Sequence, residues 1–211
     1  MTDTPTGAPS LRIRNLRLIR RGLLLIDGLS VDVERGGILG VSGASGAGKT
    51  TLLRSIAGLS QDHEGEIDAP GGGLGMVFQE PRLLPWLNAR DNVMLTLPAA
   101  RADRFFWAEE WLERVGLADA ADLLPHQMSG GMRQRVAIAR AMATGPRLLL
   151  VDEPFSALDE PLAVALRADL LALVKGHDLV TVWVSHNRDE LDAVSDRRLH
   201  LDGPPGTWSL D

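Results

Sequence analysis

The sequence predicts an α/β fold in which a small, mainly antiparallel N-terminal sheet leads into a strand–helix core, and the core is interrupted by a helical insertion. Three observations predict it. Leu11, Ile13, Leu16 and Leu18 are set among Arg12, Arg14, Asn15 and Arg17, close to the period of half-buried strands, and residues 29–33 alternate cleanly again. Short apolar runs at 38–41, 74–78, 147–151 and 179–184 carry helical stretches between or after them, as buried parallel strands and their crossovers require. Between about 81 and 145 the helical period dominates.

Composition sets the outer bounds. A chain of 211 residues with 45% hydrophobic and 24% charged residues buries a substantial core. A net charge of −6 and a pI near 5.4 argue against a general nucleic-acid surface, which needs a basic face. No apolar run reaches the roughly 20 residues that cross a bilayer, and MTDTPTGAPS has neither the basic nor the apolar region of a signal peptide. Any membrane role is therefore expected through a partner chain. The absence of cysteine removes disulfide and thiol chemistry and fits a reducing compartment.

In order, residues 1–10 read as a loose polar tail. The strands of 11–33 follow, then the turn Glu34-Arg-Gly-Gly37 and the strand 38–41. A helix beginning at Lys49 ends near Gly58, 59–73 is rich in turn formers with Gly71-Gly-Gly73 as a joint, and 74–78 is a short strand ending on Gln79. Residues 81–127 read as helical: Asp103 would cap a helix whose Phe105, Ala108, Leu112 and Val115 recur at helical spacing before Gly116, with Phe106, Trp107 and Trp111 broadening the stripe for packing against a neighbouring helix. A long helix at 129–143, a buried strand at 147–151 and a helix at 161–175 with Pro161 at its first position come next. The strand 179–184, a helix at 188–194 and a last strand at 197–201 before GPPG complete the order.

The stretch ILGVSGASGAGKTTLL at 38–53 carries the chemistry around which these elements are arranged. Gly43, Gly48, Lys49 and Thr50 fit the phosphate-loop pattern G-x-x-x-x-G-K-S/T. A triphosphate concentrates several negative charges, and only backbone that approaches closely can wrap it with N–H donors; Gly43, Gly46 and Gly48 remove the Cβ atoms in the way. The helix behind adds its free amides, roughly half a positive charge. Lys49 would reach the β- and γ-phosphates and the Thr50 hydroxyl would ligate Mg²⁺. The bland alternative, a Gly/Ser turn that binds nothing, does not explain why one of only two lysines, against 20 arginines, stands here.

Farther on, Asp152 and Glu153 end a buried strand, where unpartnered carboxylates are costly and a cation is the natural partner. Asp152 would hold Mg²⁺ directly or through water, and Glu153 would polarise an attacking water. Gln79 stands at the carboxyl end of its strand, where open α/β sheets bind ligands, although taken alone it reads more readily as a solvated strand end. Ser129-Gly-Gly131 opens another helix and would offer a second anion site.

Taken together these motifs resemble the ATP-binding subunits of ABC transporters, and nearly all of residues 11–201 takes part. GASGAGKT at 43–50, Gln79, MSGG at 128–131, Asp152-Glu153, SALD at 156–159 and His186 follow the family order: phosphate loop, strand-end glutamine, signature, carboxylate pair, D-loop and switch histidine. The resemblance implies a P-loop NTPase core (about 11–80 and 146–203) with an N-terminal antiparallel β subdomain and an inserted α-helical signature subdomain at about 81–145. It implies a head-to-tail dimer, a homodimer or a paired ATPase subunit, closing over ATP and Mg²⁺. Residues 43–51 of one chain (Gly43, Ala44, Ser45, Gly46, Ala47, Gly48, Lys49, Thr50 and Thr51) would then face Ser129, Gly130 and Gly131 of the other. Glu153, His186 and Gln79 would be catalytic, His186 by touching the γ-phosphate; Thr50, Gln79 and Asp152 would serve the metal.

FQEPRLLPW at 78–86, PHQMSGGMRQR at 125–135 and DEPFSALD at 152–159 look like the import ATPases for nitrate, sulfonate and taurine, where Met132 in place of the usual glutamine is at home. That implies a cytoplasmic subunit peripheral on the inner face of the cell membrane, docked on a permease through about residues 80–92, served indirectly by a periplasmic or extracellular solute-binding protein, and binding no nucleic acid. By the same resemblance, a chain that runs only shortly past Leu201 would be expected to lack the regulatory C-terminal domain that some import ATPases carry. The oily but proline-broken run 80–87 is either that docking groove, with Leu83, Leu84 and Trp86 as anchors, or packed under the insertion. One departure touches the nucleotide base: the family often stacks adenine on an aromatic residue of the N-terminal sheet, and 11–33 contains none, so that Arg20 or Arg21 would substitute through its guanidinium. A soluble ABC ATPase acting on nucleic acid or ribosomes is the alternative, disfavoured because this chain carries one compact cassette without a coiled-coil insert. A kinase or GTPase of another family leaves MSGG unexplained.

Overall fold

The computed structural model describes residues 10–98 and 102–211, so the tail expected at 1–10 lies, apart from Ser10, outside the described residues. The elements in order are β1 (Leu11–Arg20), β2 (Leu23–Val33), β3 (Ile38–Gly43), α1 (Lys49–Ile56), β4 (His63–Asp68), β5 (Gly73–Val77), α2 (Ala89–Met94), α3 (Arg104–Arg114), α4 (Gly130–Ala143), β6 (Pro146–Asp152), α5 (Glu160–Gly176), β7 (Val180–Val184), α6 (Arg188–Val194), β8 (Arg197–Gly203) and β9 (Thr207–Leu210). The chain divides into two compact units, residues up to Gly71 with Asp178–Asp211, and Gly72–His177.

In the first unit β2, β1 and β4 form an antiparallel sheet in that order. Leu11, Ile13, Leu16 and Leu18 are all fully buried. Their spacing slips from two to three residues where the β1–β2 register shifts between Ile13 and Leu16, which is how a bulge keeps the apolar side chains on one face. Beside this sheet β3 pairs in parallel with β7 and β8, and β9 adds to β8 antiparallel.

Two elements of this unit differ from expectation. The stretch 59–73 contains β4, whose sequence HEGEID has almost no apolar pattern to announce it. Its register sets Asp68, Glu66 and Glu64 opposite Arg12, Arg14 and Arg17, so cross-strand charge pairs support it where burial does not. The ribbon is charge-matched on both sides, because Arg14 also donates to Asp32 at 2.6 and 2.8 Å and holds that carboxyl below the usual aspartate range. The second is β9, where the Trp208 indole N–H donates to the Asp27 carbonyl at 2.9 Å and anchors a strand too short to be read from its sequence.

In the second unit β5 and β6 run parallel, with Val77 paired to Val151. The region 81–127, expected to be helical in character, holds among its described residues α2, α3 and two 3₁₀ turns at Ala118–Ala120 and Pro125–Gln127. The aromatic stripe is also corrected. Ala108, Leu112, Val115 and Trp111 are buried, but Phe105 and Phe106 are 53% and 57% exposed. Phe105 instead carries the Arg90 guanidinium 4.3 Å above its ring. Asp159 caps α5 by accepting from the Leu162 amide at 3.1 Å, which moves Pro161 to the second position of that helix.

Candidate functional site

In the first unit the phosphate loop leaves β3 at Gly43 and enters α1 at Lys49. Gly43, Gly46 and Gly48 take φ of 146°, 85° and 108°, a region costly for any side chain. A Cβ on Gly43 would also stand 2.4 Å from the Leu201 carbonyl oxygen. Gly48 gives α1 no side-chain cap, and the first turn has no acid, so the helix start remains electropositive. Lys49 is 9% exposed and its ammonium donates to the Gly43 carbonyl at 2.7 Å and to that of Ala44 at 3.2 Å, which folds it back over the loop. Ala44, Ser45, Gly46 and Thr50 form the solvent-facing lip, while Ala47, Gly48 and Thr51 are buried. The Thr51 hydroxyl accepts from Arg20 at 3.3 Å.

His186 belongs to the same unit and the same sheet end. Val184 of β7 pairs with Val41 of β3, and the Ser185 amide donates to the Val41 carbonyl, so the exposed His186 leaves its strand beside the one that feeds the loop. Its turn is held from behind. Glu190, 6% exposed, accepts from the Trp183 indole at 2.8 Å and from the Ser185 hydroxyl at 2.9 Å, and that hydroxyl accepts from the Asn187 amide at 3.1 Å. Glu190 escapes a sequence reading because nothing in the order of residues aims it back at the strand.

In the second unit the paired ends of β5 and β6 place Gln79 two residues beyond Val77, and Asp152 and Glu153 directly after Val151. Gln79 is exposed and both carboxylates are half-buried. Glu153 has φ of +47°, a left-handed conformation that a glutamate rarely takes and that concentrates at functional sites. The amide and hydroxyl of Ser156 donate to its carbonyl at 3.4 and 3.1 Å and close the turn. Ser129 caps α4 by accepting from the Met132 amide at 3.2 Å. A Cβ on Gly131 would meet Leu162 of α5 at 2.9 Å, so packing alone already asks for glycine there; one on Gly130 would meet Leu158 at 3.5 Å.

The segment after Gln79 is irregular but well held. The Asn92 side chain, fully buried, accepts from the Leu84 amide at 2.8 Å and donates to the carbonyls of Leu84, Leu87 and Asn88. Arg140, whose pKa burial lowers from the usual arginine value, donates to the carbonyls of Pro81 and Arg82 at 2.7 and 2.8 Å. Trp86 is left 71% exposed and is not a core residue, while Leu83 and Leu84 are half-buried.

A divalent metal has no cage of its own: no group of three or more His, Cys, Asp or Glu stands together among the described residues. Taken singly, the Thr50 hydroxyl of the first unit and the Asp152 carboxylate of the second are oxygen donors of the kind Mg²⁺ takes.

A family model described as ABC transporter matches residues 26–156, spanning the phosphate loop, Gln79, the signature and the carboxylate pair. The chain belongs to the ABC transporter family. An ABC transporter chain of this kind binds nucleotide. Its curated relatives include the aliphatic sulfonates import ATP-binding protein SsuB 1 of Pseudomonas savastanoi pv. phaseolicola, 41% identical across 92% of this chain and 83% of the relative. SsuB 2 of Burkholderia cenocepacia is 42% identical across 94% of this chain and 76% of the relative. Among solved structures, a metal-chelate type ABC transporter in an inward-facing conformation superposes with a TM-score of 0.87 at 26% identity, over 96% of this ABC chain and 83% of that one. The α/β elements described above are those of the ABC ATPase form of the P-loop NTPase fold. No helix among the described residues is long and apolar enough to cross a membrane.

Proposed function

We propose that this ABC chain hydrolyses ATP to drive import of an aliphatic sulfonate through a separate membrane permease. The observation that carries the ATPase part is the phosphate loop, with three left-handed glycines, an uncapped helix start and Lys49 folded over it. The solute comes from what the relatives are named for, and the ABC assignment from the match across both halves of the motif set.

In this reading residues 43–51 wrap the phosphates and Lys49 neutralises the β- and γ-groups. Thr50, Asp152 and Gln79 would hold Mg²⁺, which would offset the negative charge that builds on the phosphates. Glu153 orients a water and takes its proton as the water oxygen bonds to the γ-phosphorus. The bond to the bridging oxygen breaks, leaving ADP and phosphate. His186 touches the γ-phosphate. Ser129, Gly130 and Gly131 act on the nucleotide of a second ATPase subunit, so the working unit is a pair. Residues 80–92 receive the permease, and the subunit lies on the cytoplasmic face of the membrane, with a solute-binding protein delivering from the other side.

Uptake of a labelled alkanesulfonate tests the whole reading. Cells with the intact gene should accumulate it, and cells carrying Glu153→Gln should not. Equal uptake by both would overturn the reading. Accumulation of another solute in its place would overturn the sulfonate assignment alone.

A further inference from the structure

The phosphate loop lies along β8, the parallel neighbour of β3, with Ser42 opposite His200 and Gly43 opposite Leu201. At Gly43 the two backbones leave no room for a side chain, and farther along a Cβ on Gly203 would stand 3.3 Å from the Cα of Ala47, inside the loop. These approaches exclude side chains but carry no directed bond. The Ser42 rung is different, because there the side chains themselves join: Ser42 Oγ lies 2.8 Å from His200 Nδ1. A serine hydroxyl both donates and accepts, so the bond stands whichever ring nitrogen holds the proton. On the other edge of the imidazole the Asp202 Oδ1 is 3.5 Å from Nε2, and this carboxylate, two residues on in the same strand, shares the face of His200. Leu199 and Leu201, which alternate with them, are fully buried. Burial of one face thus anchors β8, and the other face presents a ring oriented by Asp202 to the residue from which the loop departs. The carbonyl of the next residue, Gly43, is the one that takes the Lys49 ammonium at 2.7 Å.

We propose that His200 is a positioning residue of the phosphate loop: by bonding Ser42 it fixes the root of the loop, so that the loop amides are already aimed when a nucleoside triphosphate arrives. The inference rests on the reading above that the loop holds such a ligand. A loop containing Gly43, Gly46 and Gly48 has wide backbone freedom, and ordering it on binding opposes affinity. A directed bond at its root removes part of that freedom beforehand, which is preorganisation. His200 acts through Ser42 and touches no phosphate itself. The restraint serves the bound phosphates equally before and during hydrolysis, and binding that does not distinguish ground state from transition state appears in KM rather than in kcat.

Calorimetric titration of the full chain with ATP and with inorganic tripolyphosphate, each with Mg²⁺, tests the proposal beside a steady-state phosphate-release assay. His200→Ala should weaken both ligands alike, by about three- to tenfold, the size of one hydrogen bond. KM for ATP should rise by the same factor while kcat stays as in wild type. Ser42→Ala should behave in the same way, and the double variant should lose no more than either single one, because both substitutions remove one bond. His200→Asn, whose amide both donates and accepts close to the position of Nδ1, should recover most of the affinity. Unchanged ATP affinity in His200→Ala overturns the proposal. So do losses that add in the double variant, a fall in kcat at constant KM, or His200→Asn binding as weakly as alanine. Should urea denaturation show His200→Ala unfolded, Ser42→Ala decides alone: unchanged affinity there overturns the proposal, and a loss shared by ATP and tripolyphosphate supports it. Wild type that binds neither ATP nor tripolyphosphate would instead overturn the phosphate-loop reading, and this proposal with it.

Discussion

Glu153 occupies a backbone conformation that costs on the order of 1–3 kcal/mol for a residue with a side chain. Sterics alone would favour glycine there, so the carboxylate is retained for what it does. Glu153→Gln keeps the shape and loses the charge that orients water. It should bind ATP as wild type does while turnover falls by about 10²- to 10⁴-fold, and a steady-state phosphate-release assay beside a binding titration checks both halves. Turnover like wild type would remove Glu153 from catalysis. Glu190 acts one step back, as a positioning residue. Glu190→Gln replaces one acceptor oxygen by a donor between the Trp183 indole and the Ser185 hydroxyl and so loosens the turn carrying His186. The expected signature is a lower kcat with KM for ATP nearly unchanged, plus a stability loss of about 1–3 kcal/mol. A variant that unfolds less readily than wild type, or one altered only in KM, would argue against the positioning role.

At the scale of elements, residues 78–88 show how an irregular segment is made definite. Pro81 and Pro85 deny it a helix, and its backbone groups are satisfied by Asn92 and Arg140, side chains on two different helices. This separates two substitutions a few residues apart. Asn92→Ala leaves several backbone groups without their partner and should lower unfolding stability by about 3 kcal/mol, measured by urea denaturation. Trp86→Ala removes an exposed side chain and should change stability by no more than about 0.5 kcal/mol, while the subunit co-purifies less well with its permease. If Trp86→Ala unfolds like Asn92→Ala, or assembles and transports normally, the docking role of the segment is lost.

At the scale of the molecule, phosphate loop and signature each present a helix start suited to an anion, α1 behind Gly48 and α4 behind Ser129. The head-to-tail pair proposed above would use both. Mixing Lys49→Ala subunits with Ser129→Arg subunits tests this. Each mixed pair would carry both lesions in one site and neither in the other, so ATPase activity should return to some fraction of wild type although each variant alone is inactive. Mixed pairs demonstrated by cross-linking yet inactive would count against action across the pair.

Much of this was legible in the chain. Motif order named the family because each motif is a local chemical requirement: glycines where backbone must approach phosphate, a lysine among arginines, carboxylates ending an apolar strand. Apolar periodicity placed β1, β3, β5, β6, β7 and the long helices α4 and α5, since burial on one face leaves its mark in sequence order. Other features were decided only by tertiary structure, because the partners that settle them are far apart in the chain. HEGEID becomes a strand only against the arginines of β1. Phe105 and Phe106, which belong to a helical stripe by spacing, are left exposed because α3 turns Leu112 and Trp111 inward instead. The strain at Glu153, the brace at Glu190 and the reach of Arg20 to Thr51 are long-range or conformational facts, and no pattern of neighbouring residues encodes them.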